Sequence, residues 1–226
     1  MRPPRTLVVL PALLAALALT ACTSASASSG PARSSNTATA SAARPAVAFL
    51  GDSLTAGLFV QPSQAWPVTL SSEENWDGVN VSCSGAGFVA RGDCGTYNDM
   101  VARAVAAHPS LVIVPASSND LGSNQATLKA EMTATMNRLR AALPGATIAG
   151  LNAIWNDGEA PSELSEISND LADAVTAAGG TYVDIGEPVY GHPEWMQPDT
   201  VHYTQAGYDA VAQAVNAALK NAGVHP

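Results

Sequence analysis

AVAFLGDSLTAG, residues 46–57, joins a short aliphatic run to a turn of small residues. The run Ala46–Leu50 is apolar throughout and ends at Gly51, which reads as a buried strand meeting a turn. Ser53 then falls just past the carboxyl end of that strand. The same signal recurs downstream: Val79–Ser82, Leu111–Pro115, Thr147–Leu151 and Thr181–Ile185 are short, aliphatic and bounded by turn formers. Helical patterns lie between and after them, near Trp66–Ser72, Tyr97–His108, Ala126–Ala142, Ser162–Ala178 and Thr204–Ala222. Pro144-Gly145 and Gly179-Gly180 are stop signals between helix and strand. Alternating strands and helices, with strands this apolar, predict a parallel sheet covered on both faces. The expected fold class is α/β: a three-layer α/β/α sandwich on five parallel strands. In open sheets of this kind a site lies beyond the carboxyl ends of the strands.

Upstream of residue 46 the composition changes. Arg2 and Arg5 precede an apolar stretch from Leu7 to Leu19, too short to span a bilayer as a mature helix. It ends in Leu19-Thr20-Ala21-Cys22, which resembles the bacterial lipobox. Residues 1–21 are therefore expected to be a lipoprotein signal peptide, with Cys22 acylated. The alternative is an ordinary export signal cut near Ala21. Residues 22–45 are almost all Ser, Ala, Thr, Pro and Gly and are expected to form a flexible tether. That places the folded domain, residues 46–226, at the extracellular face of the membrane, lipid-anchored.

The full chain has 226 residues and a formal charge of −9. An acidic body repels phosphate backbones, so nucleic acid is excluded as a partner. Cys83 and Cys94 remain in an exported domain, where a disulfide is favoured; the alternative is two small buried thiols.

Four segments carry chemistry. Ser53 lies in the first turn. The second strand runs into Asn80-Val81-Ser82-Cys83-Ser84-Gly85-Ala86-Gly87, where glycines let the backbone approach a ligand and offer an N–H. Ser117-Ser118-Asn119-Asp120 follows the third strand, and an Asn amide can donate to a developing oxyanion. Asp199-Thr200-Val201-His202 precedes the last helix. A carboxylate three residues before an imidazole can bind one ring nitrogen and leave the other for a serine.

In order and spacing these segments resemble the SGNH hydrolases, also called the GDSL esterase/lipase family. The motifs are GDSLTAG at 51–57, N-x-x-x-SG at 80–85, SSND at 117–120 and DTVH at 199–202. The resemblance spans residues 46–222 and implies a flavodoxin-like sandwich and an ester hydrolase. It implies Ser53 as nucleophile, His202 as base and Asp199 as its orienting partner. It implies three oxyanion donors: the Ser53 N–H, the Gly85 N–H and the Asn119 side chain, with Gly87 as an alternative to Gly85. Asp52 and Asp120 are expected to brace the loops. One position departs from the family's pattern: Ser117 stands where Gly is usual, and its Cβ is expected to narrow the pocket or rotate Asn119.

The expected substrates are small-molecule or glycan esters with short acyl groups, because no long apolar insertion offers a lid. Tyr190, His192, Trp195, Met196 and Trp155 are candidates for the pocket wall, with plain packing as the alternative. No cofactor or metal is expected; His108, His192 and His225 lack ligand spacing. Two other readings use the same residues: a glycan O-acyltransferase, and a silent ligand-binding lipoprotein.

Overall fold

The computed structural model describes residues 43–226. The expected signal peptide, Cys22 and all but the last three residues of the expected tether lie outside the described residues. Two of those three are already tied to the domain. Pro45 accepts from the Asp77 N–H at 2.8 Å, and Arg44 donates to the Trp76 carbonyl.

Five strands form one parallel sheet: β1 (Ala46–Phe49), β2 (Asp77–Asn80), β3 (Leu111–Pro115), β4 (Thr147–Leu151) and β5 (Thr181–Val183). Their order is β2-β1-β3-β4-β5, the doubly wound arrangement of the flavodoxin type. Helices cover both faces: α1 (Ser53–Ala56), α2 (Trp66–Glu73), α3 (Tyr97–Ala106), α4 (Gln125–Ala142), α5 (Ser162–Ala177) and α6 (Gln205–Asn221).

The twofold period of the strands divides the core. Ala48, Val112, Val114 and Ile148 point to one face and pack under α3, α4 and α5. Val47, Phe49, Leu111, Ile113 and Leu151 point to the other, under α2 and α6. Trp66 on α2 meets Phe49 edge-on at 5.4 Å. Tyr208, Val211 and Val215 extend that layer along α6. Fully burying a large apolar side chain contributes roughly 1.5–3 kcal/mol, so these two layers supply most of the driving force.

β2 departs from expectation. It begins at Asp77, two residues early, and stops at Asn80. Asp77 and Gly78 are poor strand formers, but they pair with Ala46 and Val47 along the sheet edge. Gly78 is also required there, because any Cβ would run into the Ser71 side chain on α2.

β1 and β3 are neighbours, and the chain leaves them toward β2 on one side and β4 on the other. This is the topological switch point, where the crevice beyond the strand ends forms. The loops after β1 and β3 carry Ser53 and Asn119.

Candidate active site

Ser53 opens α1, a single helical turn that the sequence pattern does not reveal because four residues show no periodicity. Asp52 caps it, accepting the Leu54 N–H at 3.0 Å. Gly57 closes it in the left-handed region at φ 77°, donating its N–H to the Ser53 carbonyl. Asn80, at the end of β2, donates to the Thr55 carbonyl at 2.8 Å and so holds the turn from the side. Two neighbouring strands thus fix the position of one serine.

His202 arrives from the far end of the chain. Its Nε2 lies 2.8 Å from Ser53 Oγ, across 149 positions of sequence. Its Nδ1 lies 2.7 Å from Asp199 Oδ2. The other Asp199 oxygen accepts the backbone N–H groups of Val201 and His202, both at 3.0 Å. The loop is pinned by antiparallel pairing of Met196 with Tyr203, and Thr200 takes φ 60° at its tip. The carboxyl of Asp199 is lowered to about 2, first by the His202 backbone N–H and next by the His202 side chain.

Asn119 sits in a short 3-10 turn after β3. Its Nδ2 donates to the Ala86 carbonyl at 3.0 Å, which leaves a second amide hydrogen. Gly85 is exposed at φ 73°, a conformation suited to glycine, and its N–H meets no acceptor among the described residues. Gly87 does not fit the alternative role. Its N–H is spent on the Ala90 carbonyl at 2.9 Å, and its missing Cβ makes room for the Asp120 carboxylate.

The two expected braces are buried carboxylates. Asp120 accepts the N–H groups of Phe88, Val89 and Ala90 at 2.7–2.9 Å and holds that loop from below. Burial pushes its carboxyl above the ordinary value, and those three bonds pull it partly back. Asp52 is likewise pushed up by burial, opposed by hydrogen bonds from Ser117 and Leu54. Ser117 is wholly buried. Its Oγ is spent on Asp52 Oδ2 and the Ala86 carbonyl, and Ser117 is not part of the lining of the hollow beside the Ser53 turn.

This small hollow, of about 30 Å³, lies next to the Ser53 turn, lined by Leu54, Ser118, Ile154, Trp155, Asn156 and Val201 but by no member of the triad. Of the expected wall residues, Trp155 lines it. Trp195 and Met196 pack instead on the core under α6. His192 stacks on Trp195 at 3.7 Å and pairs with Glu194.

The family model described as GDSL-like lipase/acylhydrolase matches residues 49–210. The chain belongs to this family. It is an ester hydrolase of the GDSL type. Solved structures share the fold of this GDSL hydrolase at low identity. The psychrotrophic esterase EstA from Pseudoalteromonas sp., inhibited by monoethylphosphonate, is 18% identical with a TM-score of 0.62, covering 78% of this chain and 97% of that one. The salicylyl-acyltransferase SsfX3 from a tetracycline biosynthetic pathway is 17% identical with a TM-score of 0.63, covering 81% and 56%. A family two carbohydrate esterase from Clostridium thermocellum in complex with cellohexaose is 13% identical with a TM-score of 0.60, covering 79% and 64%. No curated protein matches in sequence.

Three further aromatic residues stand around the GDSL site, of which Phe59 carries no sequence signal while Tyr203 and Tyr208 belong to a segment similar to the family's closing helix. Phe59 lies edge-on to the His202 ring at 5.2 Å, is 61% exposed and takes φ 70°. Tyr203 donates its hydroxyl to the Trp155 carbonyl at 2.6 Å, and Tyr208 donates to the Leu58 carbonyl at 3.0 Å. Both tyrosines hold wall loops through backbone carbonyls, a contact no local pattern announces.

Proposed function

We propose that the protein hydrolyses short-chain acyl esters by a two-step acyl transfer through Ser53. The observation that carries this reading is the unbroken hydrogen-bonded path Asp199–His202–Ser53 at a sheet edge. Ser53 Oγ attacks the ester carbonyl while His202 Nε2 takes its proton. The C–O bond to the alcohol then breaks, and His202 returns the proton to the departing oxygen. Water, deprotonated by His202, attacks the acyl-enzyme and releases the acid and free Ser53. Asp199 stays ionised, fixes the ring and stabilises the imidazolium.

The negative oxygen of each tetrahedral intermediate is met by the Ser53 N–H, the Gly85 N–H and Asn119 Nδ2. Ser53 is the first residue of its helical turn, so its N–H has no intrahelical acceptor. A preorganised donor of this kind is worth roughly 10²–10³ in turnover.

A short acyl group fits the small hollow next to the Ser53 turn, walled by Leu54, Ile154, Trp155 and Val201. Carbohydrate esters are the favoured substrates, because that hollow is mixed in polarity and a cellohexaose-bound carbohydrate esterase shares the fold. Turnover of nitrophenyl esters across acyl lengths, with acetylated glycans in parallel, tests this. Preference for chains of ten or more carbons rejects it.

An acyltransferase reading has one observation in its favour, the shared fold of the salicylyl-acyltransferase. Product analysis with and without a glycan acceptor separates the two: hydrolysis yields free acid in both reactions.

We also propose export and lipid anchoring at Cys22. Incorporation of labelled fatty acid, abolished in Cys22→Ala, is the expected result; equal labelling of the variant contradicts it.

A further inference from the structure

We propose that Ser117 is a positioning residue that holds the oxyanion donors in register, acting through Asn119 and anchored on Asp52. The inference rests on the esterase reading above.

Ser117 Oγ touches three separate loops. It lies 2.7 Å from Asp52 Oδ2, on the loop after β1 that starts the Ser53 turn. It lies 3.0 Å from the carbonyl of Ala86, the residue after Gly85. It accepts the backbone N–H of Asn119 at 3.2 Å, on its own loop after β3. Each of the three loops supplies one oxyanion donor. Asn119 Nδ2 closes the ring by donating to the same Ala86 carbonyl.

A hydroxyl has one proton and two lone pairs. One lone pair takes the Asn119 N–H. The proton goes to the carboxylate, which is nearer and forms the stronger, charge-assisted bond. The Ala86 contact is then secondary. Removing the hydroxyl strips Asp52 Oδ2 of its donor in a buried site and frees the Asn119 backbone. Asn119 is itself exposed, and apart from its short turn the other bond that holds it is the one from its Nδ2 to the Ala86 carbonyl. Neither result removes a group that touches substrate. Both shift where the donors point, and a displacement near 1 Å in such a constellation can cost about 10²-fold.

A kinetic cycle tests this. In wild type, Ser117→Ala is expected to lower kcat about tenfold with KM within about twofold. In an Asn119→Ala background the same change should cost no more than about twofold, because the residue it acts through is gone. Phosphonylation of Ser53 should slow by the same factor as kcat. Ser117→Cys, which fills similar space with a weaker donor, should fall between, and it carries the cycle if Ser117→Ala does not fold. A merely structural serine would lower the melting temperature and cost the same factor in both backgrounds, which overturns the proposal. So does a Ser117→Ala kcat within about twofold of wild type. A wild-type protein that neither turns over esters nor labels at Ser53 refutes the esterase reading itself, and this inference with it.

Discussion

His202 Nε2 stands 2.8 Å from Ser53 Oγ, and the two residues are 149 positions apart. The contact exists because β1 delivers Ser53 and the loop before α6 delivers His202 to one edge of the sheet. Covalent connectivity does nothing to bring them together; the packing of α6 against β1 and β3 does.

Asn119→Ala removes the side chain proposed to donate to the intermediate and leaves the core untouched. Turnover is expected to fall roughly 10²–10³-fold with little change in KM. Steady-state kinetics on a nitrophenyl ester checks this. A loss confined to KM would mean that Asn119 binds ground state and transition state alike.

The Asp199 carboxyl, lowered to about 2 from 3.8, gives stability a pH dependence of known sign. A depressed folded value means the contribution is complete above the unfolded pKa and disappears as pH falls from about 4 toward 2. The stability advantage of wild type over Asp199→Asn should therefore be constant above about pH 5 and shrink below about pH 4. The group is 36% exposed, so solvent screening keeps the effect small. Denaturant titrations across pH measure it; an advantage that grows on acidification has the wrong sign.

The Cys83–Cys94 disulfide spans 11 positions and encloses the segment carrying Gly85. Replacing both cysteines by Ala should cost about 3 kcal/mol in the chain-entropy model, a drop of roughly 6–12 °C in Tm for a domain of this size. Turnover should fall as well, because the Gly85 N–H loses its tether. Calorimetry and kinetics on the double variant test both parts.

Phe59 holds a left-handed φ of 70° with its side chain mostly in solvent. Phe59→Gly should relieve about 1 kcal/mol of backbone strain. Chemical denaturation is expected to show a stabilised variant. A destabilised one would mean that the edge contact with His202 outweighs the strain.

Strands β1, β3 and β4 and the long helices were legible because aliphatic runs and helical periods are local properties. β2 was misplaced because its first residues are held by pairing with Ala46 and Val47, not by their own preference. That Ser53, Asp199 and His202 come together could be read from their positions after a strand and before α6, together with their motifs. The inward turn of Ser117 could not, because it depends on Asp52 and Ala86 from two other loops. Phe59 was invisible for a similar reason: its ring contact is with His202, 143 positions away.

A fluorophosphonate probe applied to the purified full-length protein, its Ser53→Ala variant and its His202→Ala variant bears most directly on the account. Wild type should take up one label, located at Ser53 by peptide mapping, with none on Ser53→Ala and labelling of His202→Ala slowed roughly 10³-fold or more. A folded wild type that stays unlabelled, or His202→Ala labelling at the wild-type rate, would contradict it.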